Sequence, residues 1–299
     1  MRIVFNNSKL VKTKLLTIIF SFSLSVVLGQ DIELFGVEYA RYPSVSSTEA
    51  DSLEVSLTEY EISALFPVLT KEKFNLLVGG TYRLVVPEHN EETLENSFYF
   101  LGLNLTGAYT LSEKARLIIN AFPSVGASSS SQTFSGDSFV MQGGLIYNKE
   151  VSDRFSYNLG IISTTRFGSP IFLPLFGISH RGEKMRFDVN LPTSLSVKWN
   201  YKKRFSYGLK FSVNGSQYSL DEQTDFGAQV DQVDFSRVRL GPEIAYRAKG
   251  PLVFSVSGGM ATGRTYEFEV EGVDDVDFSL DSGPFFAIRI SFKPQVENN

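Results

Sequence analysis

Near its end the sequence reads PFFAIRISF at residues 284–292, where apolar and polar side chains alternate. This period of two is typical of a β-strand, whose successive side chains point to opposite faces. One face carries Phe286, Ile288, Ile290 and Phe292, and the other carries Ala287, Arg289 and Ser291. A strand that is apolar on one side and small or charged on the other suits a wall between lipid and a polar interior. The stretch therefore predicts an all-β fold, an antiparallel transmembrane β-barrel.

The first residues have the pattern of a secretory signal peptide. Basic residues at positions 2, 9, 12 and 14 precede an apolar run at residues 15–28, and Gly29 offers a small residue for cleavage. A membrane-anchoring helix is the rival interpretation, but hydroxyl side chains interrupt the run, which is shorter than the ~20 residues of a normal span. We expect residues 1–29 to be a cleaved signal peptide and residues 30–299 to form one barrel domain. The absence of cysteine excludes disulfides, thiolate chemistry and lipid attachment through that residue.

Alternating segments recur along the whole chain, and they predict fourteen strands. The segments are residues 32–42, 53–66, 74–86, 98–109, 115–125, 139–149, 155–167, 171–180, 185–190, 194–201, 205–218, 235–248, 252–268 and 285–292. Their connections alternate between short and long, which is typical of barrels with periplasmic turns and longer outer loops. The connections at residues 168–170 and 191–193 are unusually tight. If the segments beside them are not separate strands, the count is twelve.

These features together resemble the outer-membrane β-barrel proteins of Gram-negative bacteria. The central segment PIFLPLFG at residues 170–177, followed by Leu191 and Pro192, is similar to an uncharacterised family of such barrels. The resemblance implies location in the outer membrane, with outer-membrane lipid and the outer-membrane assembly machinery as partners. It also implies that Phe292 is the assembly signal. The chain departs from the usual pattern because residues 293–299 follow this phenylalanine.

The sequence contains no recognisable catalytic set. Its two histidines are His89, in an acidic segment, and His180, beside a short turn. A catalytic base must lie within reach of a nucleophile or an activated water, and neighbouring residues on a strand point to opposite faces. We predict that the protein is not an enzyme and that it binds no metal or cofactor. The net charge of −5 argues against nucleic acid as a partner.

The predicted outer loops are acidic, whereas the short turns are basic. The acidic residues are Glu88, Glu91, Glu92, Glu95, Asp221, Glu222, Asp225, Asp231, Asp234, Glu269, Glu271, Asp274, Asp275, Asp277 and Asp281. One interpretation is a mouth that attracts cations, or carboxylates bridged by divalent ions to surface lipid. The other is that the charges only keep the loops solvated, which is the commoner role of charge runs.

Basic residues recur on the polar side of the predicted strands and are expected to line the lumen. They are Arg83, Arg116, Arg166, Lys198, Lys210, Arg237, Arg239, Arg247 and Arg289, accompanied by Glu243. Three glutamates of the second strand, Glu54, Glu59 and Glu61, join them if a bulge shifts the register. An open basic lumen would favour anions, which makes the chain a passive pore or uptake channel for small solutes. Alternatively, paired charges plug the lumen, and the barrel is structural or binds a ligand without transport.

Overall fold

The computed structural model describes residues 33–48, 54–89, 97–129, 138–202, 204–223, 229–270 and 276–294, and these ranges contain only strands and their connections. The strands are β1 Phe35–Ser46, β2 Glu54–Thr70, β3 Phe74–His89, β4 Phe98–Ser112, β5 Ala115–Ser128, β6 Phe139–Ser152, β7 Phe155–Thr164, β8 Ile171–Arg181, β9 Met185–Leu191, β10 Ser194–Tyr201, β11 Phe205–Gln223, β12 Gln229–Arg247, β13 Leu252–Val270, β14 Val276–Leu280 and β15 Gly283–Phe292. None of the described residues forms a helix that is long and apolar enough to cross a membrane. The predicted signal peptide lies outside the described residues.

The sheet is antiparallel between neighbouring strands and closes on itself. Each strand from β1 to β13 pairs with the next, β13 pairs with β15, and β15 pairs with β1. Strand β14 precedes β15 across a two-residue break and pairs with the far part of β13, and its Leu280 forms an isolated bridge to Ser47. The ring therefore has fourteen positions. The predicted fourteen-stranded barrel is confirmed, and the alternative of twelve strands is wrong because β8, β9 and β10 each have their own ladders.

The last strand has the alternation that its sequence predicts. Phe286 and Ile288 are 44% and 42% exposed on the outer face, whereas Ala287 and Ser291 are 3% and 1% exposed on the inner face. Other strands repeat the pattern, so a belt of apolar side chains surrounds the barrel. Such a belt is the exterior expected of a membrane-spanning barrel.

The wall of the barrel has unequal height. We call the end with the short turns, where β1 begins and β15 ends, the lower end, and the opposite end the upper end. Strands β11, β12 and β13 have 19 residues each, whereas β7 to β10 have 7 to 11. Above Ser212, β11 has no pairing with β10 and instead meets β5 in a parallel bridge from Ser219 to Ala127. This bridge closes the tall strands into a narrower upper part.

An apolar core fills that upper part. Tyr42 and Leu57 from one side pack into the same buried cluster as Tyr218 and Phe235 from the other. Phe235 stacks between the rings of Tyr218 and Tyr266, with centroids 5.4 and 5.8 Å away. Burial of large apolar side chains is the main source of stability in a folded core. The upper part of the barrel is therefore a packed structure rather than a water-filled tube.

Two details differ from the sequence predictions. Strand β7 ends at Thr164, so Arg166 lies in the connection to β8 and not on a strand. Asp234, predicted in a solvated outer loop, lies within β12 and is buried, because the β11–β12 hairpin extends further than its apolar pattern indicated. Of the other predicted acidic residues, only the side chains of Glu88 and Asp281 belong to the described part of the chain.

Candidate functional site

A charged row crosses four neighbouring strands inside the barrel. The strand register places Arg289 opposite Glu38, Glu38 opposite Glu61, and Glu61 opposite Arg83. The two adjacent glutamates would repel each other, but Arg289 contacts both, at 2.9 Å from Glu38 and 3.4 Å from Glu61. Arg83 lies 2.9 Å from Glu61, and Arg239 reaches Glu38 from the far side at 3.0 Å. Each glutamate of the row therefore has an arginine on either side.

A second group of charges lies above this row, at the base of the apolar core. Arg237 contacts Glu59, and the Tyr42 hydroxyl donates to the same carboxylate over 3.1 Å. The Arg237 guanidinium also lies 4.5 Å from the centre of the Tyr42 ring, which is a favourable cation–π distance. Arg264 stands over the same ring at 5.9 Å and is 1% exposed.

Lower in the barrel, Glu243 holds two lysines. Lys198 lies 2.5 Å and Lys210 lies 3.5 Å from its carboxylate oxygens. The register aligns Lys198 and Glu243 on either side of Gly208, which has no side chain between them. The three strands β10, β11 and β12 therefore share one ion-pair group, separate from the charged row.

Two of the remaining predicted cations, Arg116 and Arg247, lie at the lower rim. Arg116 pairs with Glu150 at 3.2 Å, and Arg247 donates to the backbone oxygen of Lys293 over 2.8 Å. Glu33, just before β1, accepts from Arg289 and lies 3.0 Å from the Lys293 ammonium. Burial raises the pKa of Glu33, but the hydrogen bonds and charges of these two cations outweigh burial and hold its pKa below the usual 4.5.

The opposite side of the interior carries neutral amides. The register places Asn148 opposite Asn158, and Gly177 between Asn158 and Asn190, which forms an amide row across β6 to β9. Asn148 donates to the Asn158 side-chain oxygen over 2.7 Å. Asn158 and Asn190 are half-exposed, whereas the inward side chains of β15 next to the charged row are largely buried. The interior is thus packed with charges on one side and accessible on the other.

A chamber of about 390 Å³ lies between β3, β7 and β11, beneath the β5–β11 bridge. The side chains that line it are Glu61, Thr81, Arg83, Phe100, Asn104, Asn120, Phe122, Gln142, Ile146, Ile162, Ser163, Thr164, Thr165, Arg166, Asn214 and Ser216, together with three glycines. Two further voids beside the ion pairs have only about 20 Å³ each, room for about one water. The chamber is therefore much larger than these two voids.

The segment after β7 completes the chamber wall. The Thr165 backbone nitrogen donates to Gln142 on β6 over 3.1 Å, and Arg166 donates to the Val213 backbone oxygen on β11 over 3.1 Å. This segment therefore joins β6 to β11 above the short strands. Because β10 does not pair with the upper part of β11, this segment supplies a hydrogen bond to β11 there instead.

The structure thus separates the predicted lumen residues into distinct places. Arg83, Arg237, Arg239 and Arg289 belong to the charged interior, and Arg166 stands apart at the chamber. Glu59 and Glu61 face inward, and Glu54 lies exposed at the upper end of β2. The registers of β2 shift against β1 between Tyr42 and Val45 and against β3 between Pro67 and Leu69. The sequence predictions missed Glu38, which alternates with Val37 and Tyr39 on β1 and was recognisable from that pattern.

The two histidines are not brought together. His89 ends β3 at the upper end, and His180 stacks on Phe187 near the lower end. Within the described ranges, no group of three or more histidine or acidic side chains is arranged to hold a metal ion.

Similar solved structures include an outer membrane channel from Pseudomonas putida F1, at 7% identity and a TM-score of 0.45, covering 86% of this chain and 94% of that chain. The monoaromatic hydrocarbon channel CymD is 11% identical with a TM-score of 0.36, covering 93% of both chains. The porin KdgM, in complex with disordered oligogalacturonate, is 7% identical with a TM-score of 0.33, covering 87% and 99%. These values are too low to support an argument about function.

Comparison with curated proteins found no match. Residues 54–293 match the family described as Domain of unknown function (DUF6268), and the chain therefore belongs to that family.

Proposed function

We propose that the protein is a bacterial outer-membrane barrel that acts as a passive channel or uptake pore for small polar solutes. The apolar belt supports a membrane position, because outward positions of a spanning barrel contact lipid. Exposed Tyr99 and Tyr109 near the two ends of β4 fit the aromatic girdles of such barrels. In this proposal the lower end faces the periplasm and the upper end faces the outside.

The observation that carries the proposal is the accessible side of the interior. The amide row carries neutral polar side chains, and the chamber combines neutral polar side chains with the charged Glu61, Arg83 and Arg166. A solute there can exchange hydrogen bonds with water for hydrogen bonds with the wall. The charged row occupies the other side and leaves voids for about one water each. We place the route of a solute along the amide row and through the chamber.

Single-channel recording in planar bilayers tests this route. Asn214, on the chamber wall, is replaced by tryptophan, and Leu209, five residues earlier on the outer face of β11, receives the same substitution as a control. Asn214→Trp is expected to lower the conductance, because the indole fills chamber volume. Leu209→Trp is expected to leave it unchanged. Equal conductance in both variants would contradict the proposed route.

A second function is favoured by the packed upper part of the barrel. Tyr42 and Tyr218 are fully buried there and belong to one apolar core packed between the tall strands. A barrel closed in this way would be structural or would bind a ligand without transport. Folded protein that inserts into bilayers but never conducts would support this second function and contradict the channel.

The proposed location has its own test. A cleaved signal peptide, outer-membrane lipid and the outer-membrane assembly machinery are parts of this proposal, with Phe292 as the assembly signal. We expect the protein to fractionate with outer membranes, to begin near Gln30 and to migrate faster on gels before boiling than after. Recovery as a soluble periplasmic protein would contradict the location.

A further inference from the structure

Arg166 differs from the four arginines that contact carboxylates in the charged interior. Arg83, Arg237, Arg239 and Arg289 each contact a carboxylate. The side chain of Arg166 donates to one backbone oxygen, that of Val213, and no carboxylate lies within ion-pair distance among the described residues. Arg166 is exposed, and it is one of the residues that line the chamber. A guanidinium with open donors therefore borders a space large enough for a small molecule.

Hydrogen-bonding groups surround the same space. Asn120 donates to Thr106 over 2.7 Å and to Asn104 over 3.2 Å, and Asn214 donates to the Ser212 hydroxyl over 3.0 Å. These bonds hold the amides in fixed orientations around the chamber. Fixed polar groups in a largely preformed pocket are typical of small-molecule sites, and the volume is within their range of about 300–1,000 Å³.

The chamber also has an apolar wall. The ring of Phe122 lies against Gly102 of β4. A Cβ at this glycine would come within 2.2 Å of the ring, so the lack of a side chain there lets the ring lie flat against β4. Phe122 stacks on Phe100 at 6.1 Å with an angle of 21° between the rings. Ile146 and Ile162 add aliphatic surface on the adjacent strands. A ligand in this space meets a cation, several amides and a flat apolar face.

We propose that the chamber binds a small organic monocarboxylate with an apolar, ring-sized body, and that Arg166 is the binding residue for the carboxylate. The planar guanidinium can hold a carboxylate through two parallel hydrogen bonds. The body of the ligand lies against Phe122 and the isoleucines. This inference names the solute class of the proposed channel and so rests on the proposed function, but binding and conduction are measured separately.

The test measures binding to the purified barrel in detergent by calorimetry, with benzoate as the probe and benzamide as its neutral analogue. Arg166→Gln is expected to weaken benzoate binding about 10- to 100-fold, the range for losing hydrogen bonds to a charged group, and to leave benzamide binding unchanged. The control is Arg154→Gln, at an exposed arginine of a lower turn, which should change neither. Benzoate binding that is unaltered by Arg166→Gln, or no preference of the unmodified protein for benzoate over benzamide, would overturn the inference.

Two further measurements keep the result decisive. If Arg166→Gln does not fold, Asn120→Asp places a negative charge in the same chamber and must weaken benzoate more than benzamide, or the inference fails. Conductance recorded without benzoate binding would overturn the site and leave the channel proposal standing. Benzoate binding that depends on Arg166 in a barrel that never conducts would support the site and contradict the channel.

Discussion

Removal of the Glu59 carboxylate is expected to destabilise the barrel strongly. In Glu59→Gln, Arg237 keeps its charge but loses its ionic partner. Arg237 is 3% exposed, and its Nε and Nη1 atoms have no hydrogen-bond acceptor in the described structure. The positive charge then depends on the faces of Tyr42 and Phe235, which lie 4.5 and 5.1 Å from it.

The size of the loss follows from this burial. A void of about 20 Å³ beside the pair has room for about one water, so solvent replaces little of the lost interaction. Breaking a buried ion pair by removing one partner costs about 3–5 kcal/mol. The double variant Glu59→Met/Arg237→Met removes both charges, and well-packed apolar replacements of buried pairs are often close to neutral. We therefore expect the double variant to recover most of the stability that Glu59→Gln loses.

Equilibrium unfolding by urea in detergent or lipid provides the assay. The chain has one tryptophan, Trp199 on the outer face of β10, whose fluorescence reports the loss of its apolar surroundings. The control is Glu183→Gln, at a pair with Arg154 whose side chains are 86% and 63% exposed. Such surface pairs contribute about 0–1 kcal/mol. A loss of stability in Glu59→Gln no larger than that of this control, or a double variant as unstable as the single one, would contradict the expected role of the buried ion pair.

Three other substitutions test the faces, the packing and the assembly of the barrel. Leu103→Arg, in the middle of the lipid-facing side of β4, should cost about 2–4 kcal/mol, whereas Asn104→Arg, on the chamber side, should cost much less. Gly208→Ala should cost about 1–3 kcal/mol, because its Cβ would lie 1.9 Å from a backbone oxygen of β10, and Gly80→Ala, with 3.5 Å of space, should be neutral or stabilising. Phe292→Ala should lower the yield of assembled barrel in membranes, measured as the heat-modifiable fraction on gels.

Each of these has an outcome that contradicts it. Equal losses for the two arginine variants of β4 would mean that its faces are wrongly assigned. Equal effects of the two alanine variants would mean that close strand contact does not require glycine. For the assembly signal, Phe286→Ala is the matched control on the same face of β15, and an equal drop in yield from it would assign the effect to the strand and not to its last phenylalanine.

Local pattern was enough to predict the class of fold and the number of strands. Alternation with a period of two is visible in any single segment, and it tells which side chains share a face without knowledge of the neighbouring strands. That is why the two faces of residues 285–292 and the count of fourteen are confirmed. The same alternation predicted that four arginine side chains point into the interior, namely those of Arg83, Arg237, Arg239 and Arg289. The signal peptide and seven of the fifteen acidic residues lie outside the described ranges, so those predictions stay predictions.

Only the tertiary structure decided which charges meet and where space remains. Glu38 and Arg289 are 251 residues apart in the sequence, and they become neighbours because the first and last strands pair to close the ring. The alternation within one strand does not determine how two strands are aligned. The contact of β5 with β11 and the packed upper core depend on unequal strand lengths around the circumference. Arg166 borders the chamber because its connection bridges β6 and β11. Each of these contacts joins segments that are distant in the sequence. Such contacts depend on the closure and the register of the whole barrel, whereas the alternation of one strand depends only on its own residues.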